Sequence, residues 1–316
     1  MKLENLQPSG SFKSRGVGNL VRNCVQRRRT SATASHGPKI HFISSSGGNA
    51  GLAATTAARQ LDQDVTVVVP KTTGRAMRDK LVAAGARVLV HGATVSDADE
   101  YVKHMVADDP KSVYVPPFDH EDIWQGNSTI IDELHAQLDG HPPTAIICSV
   151  GGGGLFNGIM QGLERHGWTS HVQVLAVETS GADSLAQSLQ AGELITLPCI
   201  TSIARSLGVT RVSERTLAYA DARPDLVHSL VLSDAAAAMA CVRFADQEKI
   251  MVEAACGAAV AACDQAVLRA AVHGFGTDST IVVVVCGGKS KSCPMPYFSW
   301  LRVNEQAALA IDLDLH

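Results

Sequence analysis

Short apolar runs alternate with longer amphipathic stretches along most of this chain, and their spacing predicts its elements. Lys39 to Ser44 reads as a strand, Asn49 to Leu61 as an Ala-rich helix, and Val65 to Val69 as a strand ending at Pro70. Ala76 to Ala84 reads as a helix closed by Gly85, Arg87 to Val90 as a strand, Ser96 to Val106 as a helix, and Val113 to Val115 as a strand. The rhythm resumes after Pro116-Pro117. Ile123 to Leu138 reads as a helix, Ala145 to Val150 as a strand, Leu155 to His166 as a helix and Val172 to Val177 as a strand. Asp234 to Asp246 and Cys256 to His273 read as helices, and Ile281 to Cys286 as a last buried strand. Strands alternating with helices at this spacing imply βαβ units and parallel sheets. Near-continuous apolar strands such as Ala145 to Val150 are expected where both sheet faces are covered. Ahead of the rhythm, Ser14 to Gln26 reads as a helix and Arg27 to Pro38 as an exposed loop. The two prolines suggest a division at 117.

The chain has 316 residues, so one large domain or two smaller ones are expected. Apolar residues make up 46% and charged residues 18%, enough for a buried core and too apolar for disorder. A net charge of −4, with Arg27-Arg28-Arg29 as the densest basic run, gives no footprint for nucleic acid or an anionic membrane. The eight cysteines are dispersed, without a C-x-x-C pair, and several lie in apolar runs. They read as buried thiols in a reducing compartment. The N-terminus has no apolar signal-peptide core, and no run approaches the length of a membrane span, so the expectation is a cytosolic protein.

Four stretches carry candidate chemistry. In Pro8-Ser9-Gly10-Ser11-Phe12-Lys13-Ser14-Arg15-Gly16, Lys13 falls at the start of the helix beside Arg15. A helix N-terminus and a neighbouring cation both favour a neutral, nucleophilic amine, able to form a Schiff base with an aldehyde such as pyridoxal phosphate; otherwise Lys13 is a solvated surface residue. Gly151-Gly152-Gly153-Gly154 lies between a strand and a helix, where backbone N–H groups can cradle a phosphate; otherwise it is a tight turn. It is not followed by the Lys of a Walker motif. Ser44-Ser45-Ser46-Gly47-Gly48-Asn49-Ala50-Gly51 makes a second strand–helix turn. It suits a carboxylate, with Asn49 as cap and ligand donor, or is a helix cap alone. Cys286 ends the last strand, where its thiol either meets a ligand or fills the core.

Together these stretches resemble the pyridoxal-phosphate enzymes of the tryptophan synthase β-like fold (fold type II), and within them the serine/threonine dehydratase family. The resemblance runs from Lys2-Leu3-Glu4 to Cys286-Gly287-Gly288 and takes in Val177-Glu178-Thr179, Ser206-Leu207-Gly208-Val209 and the run from Glu253 to Ala259. It implies a two-lobed α/β enzyme, with a small domain over residues 15–117 and a large one over 118–316 plus 1–14. It implies conversion of L-serine to pyruvate and ammonia and of L-threonine to 2-oxobutanoate, within amino-acid catabolism and gluconeogenesis, by a cytoplasmic homodimer. Serine racemisation, another reaction of the fold, and cofactor binding without turnover are the alternatives.

By the same resemblance Lys13 would hold the cofactor and take the Cα proton. Phe12 would cover one face of the ring and Ser206 lie near the other, Asn49 would bond the 3-oxygen, and Cys286 would meet the ring nitrogen. Gly151, Gly152, Gly153 and Gly154 would bind the phosphate. Ser45, Ser46, Gly47, Asn49 and Ala50 would receive the substrate. A monovalent cation (K+) would take oxygens from Glu178 and from the backbone of Gly151, Ala182, Leu207 and Val209. In the similar serine racemases a serine precedes the Gly-Asn pair and returns a proton to Cα; here Gly47 stands at that place.

The chain departs from the family pattern at three places. About thirty residues usually precede the strand that opens here at Lys2, so a weaker edge is expected. The segment Lys289 to Pro296 carries two prolines where a helix usually starts, and Ala254 follows Glu253 where proline is usual.

Overall fold

The computed structural model describes residues 1–31 and 39–288. The described backbone falls into two compact units, one within Gln7–Thr129 and the other Met1–Leu6 with the described chain from Ile130 to Gly288. The sequence expectation placed the joins at 14/15 and 117/118.

The unit Gln7–Thr129 opens with α1 (Lys13–Ser31), followed by β1 (His41–Ser44), α2 (Asn49–Gln60), β2 (Asp64–Val69), α3 (Arg75–Ala83), β3 (Arg87–Val90), α4 (Val95–Asp108) and β4 (Ser112–Tyr114). α5 (Glu121–Gln137) gives its first half to this unit. The strands form one parallel sheet in the order β3-β2-β1-β4. Alternate residues of β1 and β2 serve opposite faces, as the two-residue period of a strand requires. Phe42, Val65, Val67 and Val69 join Val17, Leu20, Val21 and Leu52 in one core, while Ile43 and Val68 pack with Ala98 and Val102 of α4 in another. Burying a side chain such as Phe42 contributes about 1.5–3 kcal/mol, which makes these faces the main support of the unit.

The second unit contains β5 (Ala145–Ser149), α6 (Gly154–Arg165), β6 (Gln173–Thr179), α7 (Ser184–Ala191), α8 (Glu214–Ala222), β7 (Val227–Leu232), α9 (Asp234–Glu248), α10 (Ala254–Ala261), α11 (Gln265–Ala271) and β8 (Ile281–Val283). Its parallel sheet runs β7-β6-β5-β8. Lys2 extends the β8 edge by a parallel bridge to Val284, its N–H donating to Val283 O at 2.8 Å and its carbonyl accepting from Val285 N at 2.9 Å. The Lys2 ammonium is buried against Glu133 and Gln137.

The structure corrects several expectations. α1 continues through Arg27-Arg28-Arg29 to Ser31, where a loop was expected. The reason is tertiary: Arg27 donates to Asp122 of α5 at 2.6 Å, and Val25 is buried a half-turn before it. Cys256 to His273 is not one helix. α10 stops at Ala261, and the Asp264 carboxylate accepts from Ala266 N and Val267 N to cap a new helix, α11. α7, α8 and β7 were not expected. β8 ends at Val283, three residues before Cys286. The rest of the expected loop, residues 32–38, and the proline-containing segment after Gly288 lie outside the described residues.

Candidate active site

Lys13 is the first residue of α1, preceded by the turn Gln7 to Gly10, in which Gly10 takes φ +84°. Only a residue without Cβ adopts that conformation at no cost. The hydroxyls of Ser9 and Ser14 lie 2.7 Å apart and tie the turn to the helix. Lys13 Nζ donates to the Pro117 carbonyl at 2.6 Å and lies 5.0 Å from the centre of the Phe12 ring. Arg15 points elsewhere, donating to Thr129 Oγ1 at 3.0 Å. Gly16 and Gly126 allow α1 and α5 to touch, since a Cβ at Gly126 would lie 2.4 Å from the Arg15 carbonyl oxygen.

In the same unit β1 ends at Ser44 and the chain turns into α2. Gly48, not Asn49, is the N-cap, and no side chain caps the helix; Asn49 is its first residue. The expected capping role of Asn49 is therefore corrected. Gly51 presses against the turn so closely that a Cβ there would lie 1.9 Å from the Ser46 carbonyl oxygen. The Ser46 hydroxyl accepts from Gly48 N at 3.3 Å. Ser45 is buried and its hydroxyl donates to Asp99 Oδ1 at 2.6 Å, so its side chain is already engaged. Asp99 also accepts from Tyr114 OH at 2.6 Å and pairs with Lys103 at 2.8 Å. Partial burial works against the Asp99 carboxylate, yet the donors from Lys103, Ser45 and Tyr114 outweigh it and hold its pKa below the ordinary value. Burial, with that carboxylate as neighbour, pushes the Tyr114 phenol well up. Sequence reading missed this brace. Ser45 and Asp99 are 54 residues apart, and nothing local announces the pair.

In the other unit, β5 delivers the four glycines. Gly153 is the N-cap of α6 with φ +90°, and a Cβ on it would stand 1.8 Å from Thr216 Oγ1. A Cβ on Gly151 would lie 3.0 Å from Leu207 Cα, so the turn carrying Ser206, Leu207 and Val209 rests against Gly151. Ser206 is exposed within that turn. The first N–H groups of an α-helix have no intrahelical acceptor, so the start of α6 supplies donors and favourable potential for an anion.

Glu178, near the end of β6, is fully buried and accepts N–H bonds from Leu185 at 2.9 Å and Ala186 at 2.8 Å, at the start of α7. Burial pushes its carboxyl up to about 8 despite those two donors, with Asp183 adding repulsion. Ala182 bridges back to Thr179, beside it. Among the described residues no group of three or more His, Cys, Asp or Glu side chains gathers in metal-binding geometry.

Cys286 is buried beyond β8. A hydrogen bond to Cys256 and burial hold its thiol well above the ordinary value, and the nearby Glu253 acts in the same direction. Ser149 Oγ, at the end of β5, donates to Ala255 O at 2.5 Å and fixes the strand to α10 next to this thiol pair. Gly288 takes φ +100° against Glu253, where a Cβ would fall 2.5 Å from the glutamate Cγ.

The comparisons agree with the motifs. The chain is 42% identical to an L-serine dehydratase of Saccharomyces cerevisiae (strain AWRI1631), over 96% of this chain and 90% of the relative. It is 43% identical to the L-serine dehydratase/L-threonine deaminase of Bos taurus, over 92% of this chain and 86% of the relative. A crystal structure of a fungal L-serine ammonia-lyase from Rhizomucor miehei superposes with a TM-score of 0.85 at 37% identity, covering 94% of this chain and 91% of that one. The profile described as pyridoxal-phosphate dependent enzyme matches residues 1–287, nearly all of the described chain, and with these relatives it places the chain in that family.

Proposed function

We propose that this protein is a pyridoxal-phosphate-dependent dehydratase that converts L-serine to pyruvate and ammonia and also deaminates L-threonine to 2-oxobutanoate. One observation carries the reading: a lysine heads α1 within a chain 42% identical, over nearly its whole length, to an L-serine dehydratase.

The residues fit the cofactor. The turn at Gly151 to Gly154 carries no side chains, Gly153 packs too closely on Thr216 to admit a Cβ, and the turn opens a helix as a phosphate site requires. Lys13 supplies a primary amine, and Cys286 a thiol that stays neutral. When bound, the cofactor supplies an electron sink for charge leaving Cα. Lys13 would hold its aldehyde and, once the substrate amine has displaced it, take the Cα proton as general base. Phe12 and Ser206 would lie over opposite faces of the ring, and the Asn49 amide would bond its 3-oxygen. A neutral Cys286 thiol is too weak an acid to protonate the ring nitrogen, which favours elimination over transamination. The turn at Ser45, Ser46, Gly47, Asn49 and Ala50 would receive the substrate carboxylate, with Ser45 offering backbone because its hydroxyl serves Asp99. The β-hydroxyl would leave as water on taking a proton, and hydrolysis of the released 2-aminoacrylate would give pyruvate and ammonia.

By the family resemblance, Glu178 with the carbonyls of Gly151, Ala182, Leu207 and Val209 would form an all-oxygen set suited to a hard cation such as K+. A fully buried Glu178 carboxyl, each oxygen meeting one backbone N–H group, is consistent with such an ion. We further read the protein as a cytoplasmic homodimer whose pyruvate would enter gluconeogenesis. The family resemblance supports the dimer, and the cysteines of the described residues, all free, suit a reducing compartment. No described helix is long and apolar enough to cross a membrane.

The test of the reaction is product analysis. Loaded protein given L-serine should release pyruvate and ammonia in equal amounts, and L-threonine should give 2-oxobutanoate. Cofactor binding without either keto acid would overturn the assignment.

A further inference from the structure

Behind the glycine turn lies a closed ring of three buried polar side chains. Asn157 Nδ2 donates to Ser213 Oγ at 3.1 Å, Thr216 Oγ1 donates to Asn157 Oδ1 at 2.9 Å, and the two hydroxyls lie 2.8 Å apart. Asn157 and Thr216 are fully buried and Ser213 is 4% exposed. Three buried polar groups in an otherwise apolar interior cost free energy unless each is satisfied, and this ring satisfies them mutually.

The ring is joined to the turn at three points. The backbone N–H of Ser213 donates to the Gly152 carbonyl at 3.2 Å, and the backbone N–H of Asn157 donates to the Gly153 carbonyl at 2.8 Å as the first hydrogen bond of α6. Thr216 Oγ1 occupies the space that a Gly153 side chain would take, 1.8 Å from the ideal Cβ position. Because a trans peptide holds its C=O and N–H on opposite sides, fixing the carbonyls of Gly152 and Gly153 toward the ring turns the N–H groups of Gly153 and Gly154 away from it. These backbone bonds, with the Thr216 hydroxyl lodged against Gly153 and the ring fixing Ser213 and Thr216 beside Asn157, thus aim the donors of an anion cradle from the opposite face.

We propose that Asn157, Ser213 and Thr216 are positioning residues that hold the backbone of Gly152 to Gly154 in its phosphate-binding form and so set the preference of this site for the phosphorylated cofactor. The inference rests on the reading of Gly151 to Gly154 as the phosphate site, and its test separates the two. Pyridoxal lacks the phosphate but keeps the aldehyde and ring. Dissociation constants for pyridoxal phosphate and for pyridoxal are measured by absorbance titration of the apo forms of wild type, Thr216→Val and Thr216→Ser. Wild type should bind pyridoxal phosphate far more tightly than pyridoxal. Thr216→Val keeps the shape but removes the hydroxyl, and it should weaken pyridoxal phosphate binding about tenfold, the order expected when a buried hydrogen bond is lost, with pyridoxal binding within about twofold of wild type. Thr216→Ser restores the hydroxyl and should restore the preference. Ser213→Ala carries the same comparison if Thr216→Val does not fold. Equal weakening for both ligands, or for neither, would overturn the positioning role. A wild type without preference for the phosphorylated form would overturn the reading of the turn and the inference with it.

Discussion

At Gly47, proposed to line the substrate site, the lack of a side chain would decide what becomes of the substrate once its Cα proton is gone. Racemisation needs an acid on the face opposite Lys13, and by the family resemblance Gly47 would stand where the similar racemases carry a serine. A Cβ there would meet Thr73 Cγ2 and Val69 Cγ1 at 3.1 Å, so a serine fits after shifts of a few tenths of an ångström. The wild type should therefore release pyruvate from L-serine with negligible D-serine, and Gly47→Ser should yield D-serine measurable by chiral chromatography. Substantial D-serine from the wild type would refute the role given to Gly47. At this scale the places of Lys13 at the head of α1, of the four glycines between β5 and α6 and of Cys286 beyond β8 were legible, because each stands at a junction of the strand–helix rhythm. What surrounds them was not. Asn157 and Thr216 are 59 residues apart in sequence, and only the folded chain brings them together.

Among the elements, α1 owes its length to α5. Asp122 is buried and accepts from Arg27 at 2.6 Å and from Asn23 at 2.8 Å, so the last turns of α1 are held where composition suggested a loop. Burial opposes the Asp122 carboxylate, but Arg27 and Asn23 prevail and its pKa lies below the ordinary value. A lowered pKa means that the folded form binds this proton less readily than the unfolded one. The stabilisation is complete above the unfolded carboxylate pKa of about 4 and is lost as pH falls through the folded value. Asp122→Asn should cost about 1 kcal/mol at neutral pH, and thermal unfolding of the two proteins should converge as pH is lowered past 4. A constant difference down to pH 2 would remove the ionic part of this account.

The helices and the strand that sequence reading passed over are explained by their surroundings. β7 pairs with β6 alone, as an edge strand, and is only partly buried, so Val227 to Leu232 lacks the apolar run of a central strand. α7 and α8 are only eight and nine residues long, and neither stands alone between two of the strands that the apolar pattern announced, as α3 does. α7 nonetheless has a chemical purpose if its start secures Glu178 for a cation. Exchanging K+ for tetramethylammonium in the assay should lower pyruvate release, and returning K+ should restore it. Equal rates in both salts would remove the cation from the site.

For the whole molecule, the alternation of apolar strand and amphipathic helix was enough to give two parallel α/β blocks, because strands covered on both faces are apolar at consecutive positions. β5 and β6 are buried throughout and β2 at five of its six positions. The partition into Gln7–Thr129 and the remainder was harder to read, since its later join falls within the continuous helix α5 and leaves no break in composition. A homodimer should sediment at about twice the 33.3 kDa chain mass; a monomer at assay concentration would set the proposed assembly aside. The chemistry itself is expected to depend on one side chain. Lys13→Ala, supplied with pyridoxal phosphate and L-serine under conditions where the wild type turns over, should release no detectable pyruvate, and pyruvate release near the wild-type rate would contradict the assignment of Lys13.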